Sequence, residues 1–204
     1  MTIRAFLTGV VLVSALGSSV ATEAAAAPST VTHNCGHLIV DPRGNAYDFY
    51  LPTKPYNPEA DLLSVDAVTT ATTVVFTVRM ASVNAHPTTG SSVGIYFALD
   101  HQGGTSNYLV NVSHQADADS YVVENQDTEQ VTDVTGTTDP TKGTYVVSVP
   151  RADIGAKYRG AVLNGLGVIA SRNFGVSLAN AGFIEQSTGP EYHYRVGYGY
   201  GCRK

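Results

Sequence analysis

The sequence contains no tryptophan and only two cysteines, and Asp, Glu, Lys and Arg together make up 14% of its 204 residues. Lys and Arg are the scarcer sign, 12 against 17 acidic side chains, for a net charge of −5 with no basic stripe. That balance argues against nucleic acid or an anionic membrane surface as the main partner. Beyond the first 27 residues no apolar run approaches the ~20 residues of a membrane span. Neither G-x-S-x-G nor H-E-x-x-H occurs, so no recognised hydrolase signature is present. What the chain does have is 20 Gly, 9 Pro, 12 Tyr and many Val and Thr, a strand-and-turn composition. With 43% apolar residues there is material for one sizeable core, and an all-β domain is expected.

Residues 1–27 read as a secretory leader. Met1-Thr2-Ile3-Arg4 is a charged start, Ala5 to Leu16 is mainly apolar, and small residues lead to Ala25-Ala26-Ala27. Cleavage after Ala27 would remove one basic residue, Arg4, and one acidic residue, Glu23, leaving the net charge unchanged. Residues 28–204 are then a single exported domain. Its only cysteines, Cys35 and Cys202, enter an oxidising compartment and are expected to form one disulfide. Closing a loop of about 170 residues stabilises by ~5 kcal/mol on the loop-entropy account.

Alternation of period two marks the strands. Val74, Phe76, Val78 and Met80 share one face opposite Val75, Thr77 and Arg79; Val93, Ile95, Phe97 and Leu99 share one opposite Gly94, Tyr96, Ala98 and Asp100. Tyr108 to Val112, Tyr121 to Val123, Val131 to Val134 and Thr144 to Val149 follow, separated by Gly- and Asp-rich turns. Only Pro150 to Gly155, with Pro first and Gly last, predicts a single helical turn. The expectation is an antiparallel β-sandwich of eight to ten strands, jelly-roll or immunoglobulin-like, and a monomer.

Asp41-Pro42-Arg43-Gly44-Asn45, Tyr50-Leu51-Pro52-Thr53 and Asp61-Leu62-Leu63, leading into Val74 to Met80, resemble the opening of DOMON-like and family-nine-like carbohydrate-binding modules. Those include the C-terminal modules of glucodextranase-type enzymes. Val147 to Gly155 is similar to a stretch of related secreted actinobacterial domains. The resemblance covers most of the exported chain and implies a β-sandwich that binds polysaccharide. Asn45 stands where those modules usually carry Asp. The same positions suggest a structural calcium ion, which takes six to eight hard oxygens. Asp41, Asn45 and Asp61 are the candidate ligands, with Gly44 allowing a tight turn; the alternative is a simple turn with Asp61 capping a strand.

Other candidate features lie elsewhere. Near the C-terminus Tyr192, Tyr194, Val196, Tyr198, Tyr200 and Cys202 share one strand parity, opposite His193, Arg195, Gly197, Gly199 and Gly201. That row either packs inward or forms a platform of Tyr192, Tyr194, Tyr198 and Tyr200 on which sugar rings stack. The acidic stretch from Asp117 to Asp139 reads as solvated loops, or as a calcium or basic-partner contact. Asn111-Val112-Ser113 is formally a glycosylation sequon. His33 and His37 are four apart but on no helix, and Asp100-His101 is the best acid–base couple on offer. The function expected is a secreted, extracellular, non-catalytic binding or accessory module for polysaccharide or a cell-surface polymer. The alternatives are an interaction protein that binds another exported protein, and a small hydrolase.

Overall fold

The computed structural model describes residues 33–46, 56–101, 104–173, 181–188 and 194–196. The leader and Cys202 lie outside these residues, and so does the Cys35–Cys202 bridge. Twelve strands form among the described residues: β1 His33–Val40, β2 Leu62–Thr69, β3 Thr73–Met80, β4 Ser91–His101, β5 Gly104–His114, β6 Asp119–Asn125, β7 Gln130–Asp133, β8 Thr135–Asp139, β9 Thr144–Pro150, β10 Val162–Asn173, β11 Ala181–Thr188 and β12 Tyr194–Arg195. No helix among the described residues is long and apolar enough to cross a membrane.

The strands make two antiparallel sheets. One is ordered β1-β2-β3-β9-β8; the other, seven-stranded, is ordered β11-β10-β4-β5-β6-β7, with β12 also paired to β10. With β1, β7 and β12 set aside, β2-β3-β9-β8 facing β11-β10-β4-β5-β6 has the strand order of an immunoglobulin variable-type sandwich. The chain changes sheet between β7 and β8 across one residue, Val134, whose N–H donates to the carbonyl of Tyr121 at 2.9 Å. A connection that short turns a corner at the sandwich edge and brings β8 back beside β9.

Burial follows the alternation. Val74, Phe76, Val78 and Met80 face inward from β3, Val93, Ile95, Phe97 and Leu99 from β4, and Val110 and Val112 from β5, all in one hydrophobic core. Immunoglobulin domains fill this centre with a tryptophan on a disulfide. Here an aromatic file does so: Phe97 lies 6.1 Å from Phe76 of the opposite sheet and stacks on Tyr108 at 5.6 Å, centroid to centroid.

The expected helical turn at Pro150 to Gly155 is instead a pair of tight turns. Asp153 N–H donates to Pro150 O at 3.0 Å and Gly155 N–H to Ala152 O at 3.2 Å, both i to i+3. Proline at the start and glycine at the end serve a turn as well as a helix, and six residues offer too few i to i+4 bonds to favour the helix. Arg151 fastens the segment, its Nε donating to Ala156 O and its Nη1 to Ala71 O, each at 2.9 Å.

Candidate binding cleft

The outer face of the seven-stranded sheet mixes polar and apolar residues, and pairing brings them into rows. Ser171, Ser92, Ser113 and Ser120 form one row across β10, β4, β5 and β6; Ile169, Gly94, Asn111 and Val122 the next; then Gly167, Tyr96, Leu109 and Glu124; then Asn164, Ala98 and Asn107. Tyr96 is the only aromatic residue in these rows. A Cβ on Gly94 would sit 3.0 Å from Leu109 Cδ1 and 3.3 Å from Tyr96 Cε2, so the ring lies over Gly94, beside Leu109. Glycine at 94 is what leaves room for it.

Beside Tyr96 an open cleft of about 240 Å³ is bordered by Ala98, Asn107, Gln126, Asn164 and Gly165. A β-bulge shapes one wall. Between the Asn164–Ala98 and Gly167–Tyr96 pairs, β10 has one residue more than β4, and Gly165 takes φ +59°, the left-handed region. Leu166 then turns into the core, fully buried, while Asn164 remains on the outer face.

Both wall amides are held by carboxylates. Asn164 Nδ2 donates to Asp100 Oδ2 at 2.9 Å, and Asp100 Oδ1 accepts from Thr105 Oγ1 at 2.7 Å. On the other side Asn107 Nδ2 donates to Asp127 Oδ1 and its backbone N–H to Asp127 Oδ2, each at 2.9 Å. Asp127 is fixed by the β6–β7 hairpin turn, where Asn125 Oδ1 accepts from the N–H groups of Asp127 and Thr128. A carboxylate only accepts, so each amide must turn its NH₂ toward it and its Oδ1 the other way. Each amide keeps its Oδ1 and a second N–H, and the two stand on strands about 10 Å apart, two strand spacings, on either side of β4.

The residues singled out from sequence fall as follows. Tyr194 is fully buried, with its hydroxyl against Thr69 Oγ1, and Val196 is buried beside it; burial pushes the Tyr194 phenol up. Tyr194 is therefore core, which corrects its reading as part of a sugar platform, because the parity it shares with Val196 is the inward one. Tyr192, Tyr198 and Tyr200 lie outside the described residues. Asp100 spends both oxygens on Thr105 and Asn164, so it holds the cleft wall. The side chains of His33, His37 and His101 are outside the described set.

Asp41, Asn45 and Asp61 do converge. Asp61 is fully buried; both its oxygens face Gly44 N–H, at 2.9 and 3.2 Å, and Oδ2 also accepts from Tyr56 Oη. Asn45 Nδ2 donates to Asp41 Oδ1 at 2.5 Å. As arranged, this set does not fit calcium, because Asp61 is engaged by donors and Asn45 offers Asp41 its nitrogen. No cluster of three or more His, Cys, Asp or Glu suited to a metal occurs among the described residues.

The acidic stretch is spread over three hairpins. Asp139 pairs with Lys142 at 2.8 Å, Asp127 holds Asn107, and Asp119 meets buried His114 at Nδ1, 2.5 Å away. His114 Nε2 faces the carbonyl of Asn84 at 2.7 Å. Both ring nitrogens are thus engaged. Neither nitrogen is left for a nucleophile, and this couple is structural. Burial alone would raise the Asp119 pKa, but hydrogen bonds from Thr138, His114 and Tyr121, together with the His114 charge, hold it below the usual carboxylate range. A carboxyl depressed on folding contributes stability above its unfolded pKa of about 3.9 and loses it as the pH falls through the folded value. Urea melts from pH 6 down to pH 2.5 should show that loss, and Asp119→Asn should flatten it; an unchanged acid slope in the variant would refute the role.

The cleft residues Tyr96, Asn107 and Asn164 are not among the sequence candidates. Tyr96 was legible as an outward position opposite the core face of β4; the two amides gain meaning only from register. Comparison of the chain with protein-family models, curated proteins and solved structures found no match.

Proposed function

We propose that this chain is an exported, non-catalytic binding module that holds a polysaccharide or another cell-surface polymer on the outer face of its seven-stranded sheet. The observation that carries the proposal is the cleft beside Tyr96, with a half-buried ring at one end and two carboxylate-held amides along its walls. Sugar rings offer apolar C–H faces to an aromatic ring and hydroxyls to fixed polar groups, and the cleft supplies both partners. About 240 Å³, open to solvent, is less than the ~300–1,000 Å³ of enclosed small-molecule pockets. One ring of a longer polymer suits it better than an engulfed ligand. The leader-like residues 1–27 and the resemblance to carbohydrate-binding modules support the same reading.

Tyr96→Ala tests it. Tyr96 lies outside the core, so the variant should stay within about 1 kcal/mol of the parent in denaturant melts. Its retention on insoluble polysaccharide should fall about tenfold, the equivalent of ~1.4 kcal/mol of stacking. Equal retention of variant and parent would remove the cleft from the account, and capture of a protein in place of any glycan would favour an interaction protein.

A further inference from the structure

Resting on that reading of the cleft, we propose that its ligand is an extended polymer gripped by internal units, lying across the strands from β10 over β4 and β5 to the β6–β7 turn, with Gln126 as the contact for the unit beyond the one at Tyr96. The residues that border the cleft stand in line. Asn164 is in register with Ala98, and Ala98 with Asn107. The carbonyl of Asn107 accepts the N–H of Gln126 at 2.9 Å, which carries the line one position further, into the hairpin turn. From Asn164 to Gln126 is three strand spacings, about 14 Å. On β4 the cleft spans only Tyr96 to Ala98, about 7 Å at the rise of a strand. Its long direction is therefore perpendicular to the strands. An apolar row runs parallel to it: Tyr96 is in register with Leu109, Leu109 with Glu124, and Glu124 with Val131, whose side chain is 57% exposed. Sugar rings strung along the line can set C–H faces against Tyr96 and Leu109 while their hydroxyls meet the amides one after another. Among the described residues both ends of the line are open. Gly165, beside Asn164, is exposed, and a Cβ built on it would meet nothing within 4 Å. Gln126 is exposed too, and past it the line leaves the sheet at the exposed turn of Asp127, Thr128 and Glu129. A site that selects a chain end has to stop the chain with a side chain across its path; Gly165 has none to offer, and the turn lets the chain run off the sheet.

Calorimetric titration of the whole exported chain with soluble cello-, xylo-, malto- and chito-oligosaccharides of one to six units tests the assignment. In the series that binds, affinity should rise about tenfold or more from the single sugar to the tetrasaccharide and then level off. A hexasaccharide reduced at one end and capped as an acetal at the other should bind within about twofold of the free one. Gln126→Ala keeps the backbone bond to Asn107, and should lower affinity for the hexasaccharide several-fold more than for the disaccharide, whereas Tyr96→Ala should lower both. A single sugar bound as tightly as the hexasaccharide, or binding lost when the ends are blocked, would overturn the across-strand assignment; loss in Tyr96→Ala would then still leave the cleft as the binding site. Equal losses on short and long oligomers in Gln126→Ala would overturn Gln126 as the outer contact. Binding indifferent to Tyr96→Ala, or no binding in any series, would overturn the cleft reading itself and this assignment with it.

Discussion

Phe97→Ala is expected to lower the unfolding free energy by about 3–5 kcal/mol, the range for removing a large buried aromatic side chain. Phe97 is 3% exposed, and its ring sits between Phe76 from the facing sheet and Tyr108 from its own. No tryptophan exists elsewhere in the chain to take over the role. Truncation therefore loses the transfer free energy of the ring and opens a cavity that two sheets pinned by their hydrogen-bond ladders cannot close. Tyr96, one residue earlier on the opposite face, supplies the control, since its truncation should leave stability nearly unchanged. Urea unfolding of both variants checks the pair, and a loss below about 1 kcal/mol for Phe97→Ala would contradict a core built around this file.

Asp61→Ala should cost about 3 kcal/mol for a different reason. Its buried carboxylate receives Gly44 N–H and Tyr56 Oη, while its own carbonyl accepts Ala81 N–H at 2.8 Å, tying the loop after β1 to the residues after β3. Hydrogen bonds to a charged acceptor contribute ~1.5–3 kcal/mol each, and the alanine variant removes that acceptor. An asparagine side chain at this position keeps one carbonyl acceptor, so Asp61→Asn should recover part of the loss. Since Asp61 acts here through hydrogen bonds, the parent should melt at the same temperature in excess EDTA and in millimolar calcium. A midpoint that rises with the logarithm of calcium concentration in the parent and not in Asp61→Ala would instead establish a bound ion.

The sandwich was legible because its information is local. Val74 to Met80 and Val93 to Leu99 alternate without interruption, and every inward residue of both runs is buried. β10 was not legible: Gly165 and Gly167 break its pattern, and the bulge that accommodates Gly165 exists only against β4. Strand order was beyond reach for a related reason, since the pairing of β3 with β9 and of β4 with β10 joins segments about 70 residues apart. The tyrosine row shows a half-legible case. Its parity was plain in the sequence, but which parity faces inward is settled by Tyr194 against Thr69, a contact between residues 125 apart. The cleft shows the same limit: Asn107 and Asn164 are ordinary polar residues until register sets them on either side of Ala98 and carboxylate partners hold their amides in place.

The central claim is that this face of the sheet recognises glycan through the cleft beside Tyr96. A titration of isotopically labelled protein with the best-bound oligosaccharide, followed by backbone and side-chain amide resonances, tests it most directly. Perturbations should saturate together at Tyr96, Ala98, Asn107, Gln126, Asn164 and Gly165, including the Asn107 and Asn164 side-chain amides, and leave the inner strands β3 and β9 unmoved. Saturable shifts that cluster elsewhere while these six stay silent would contradict it.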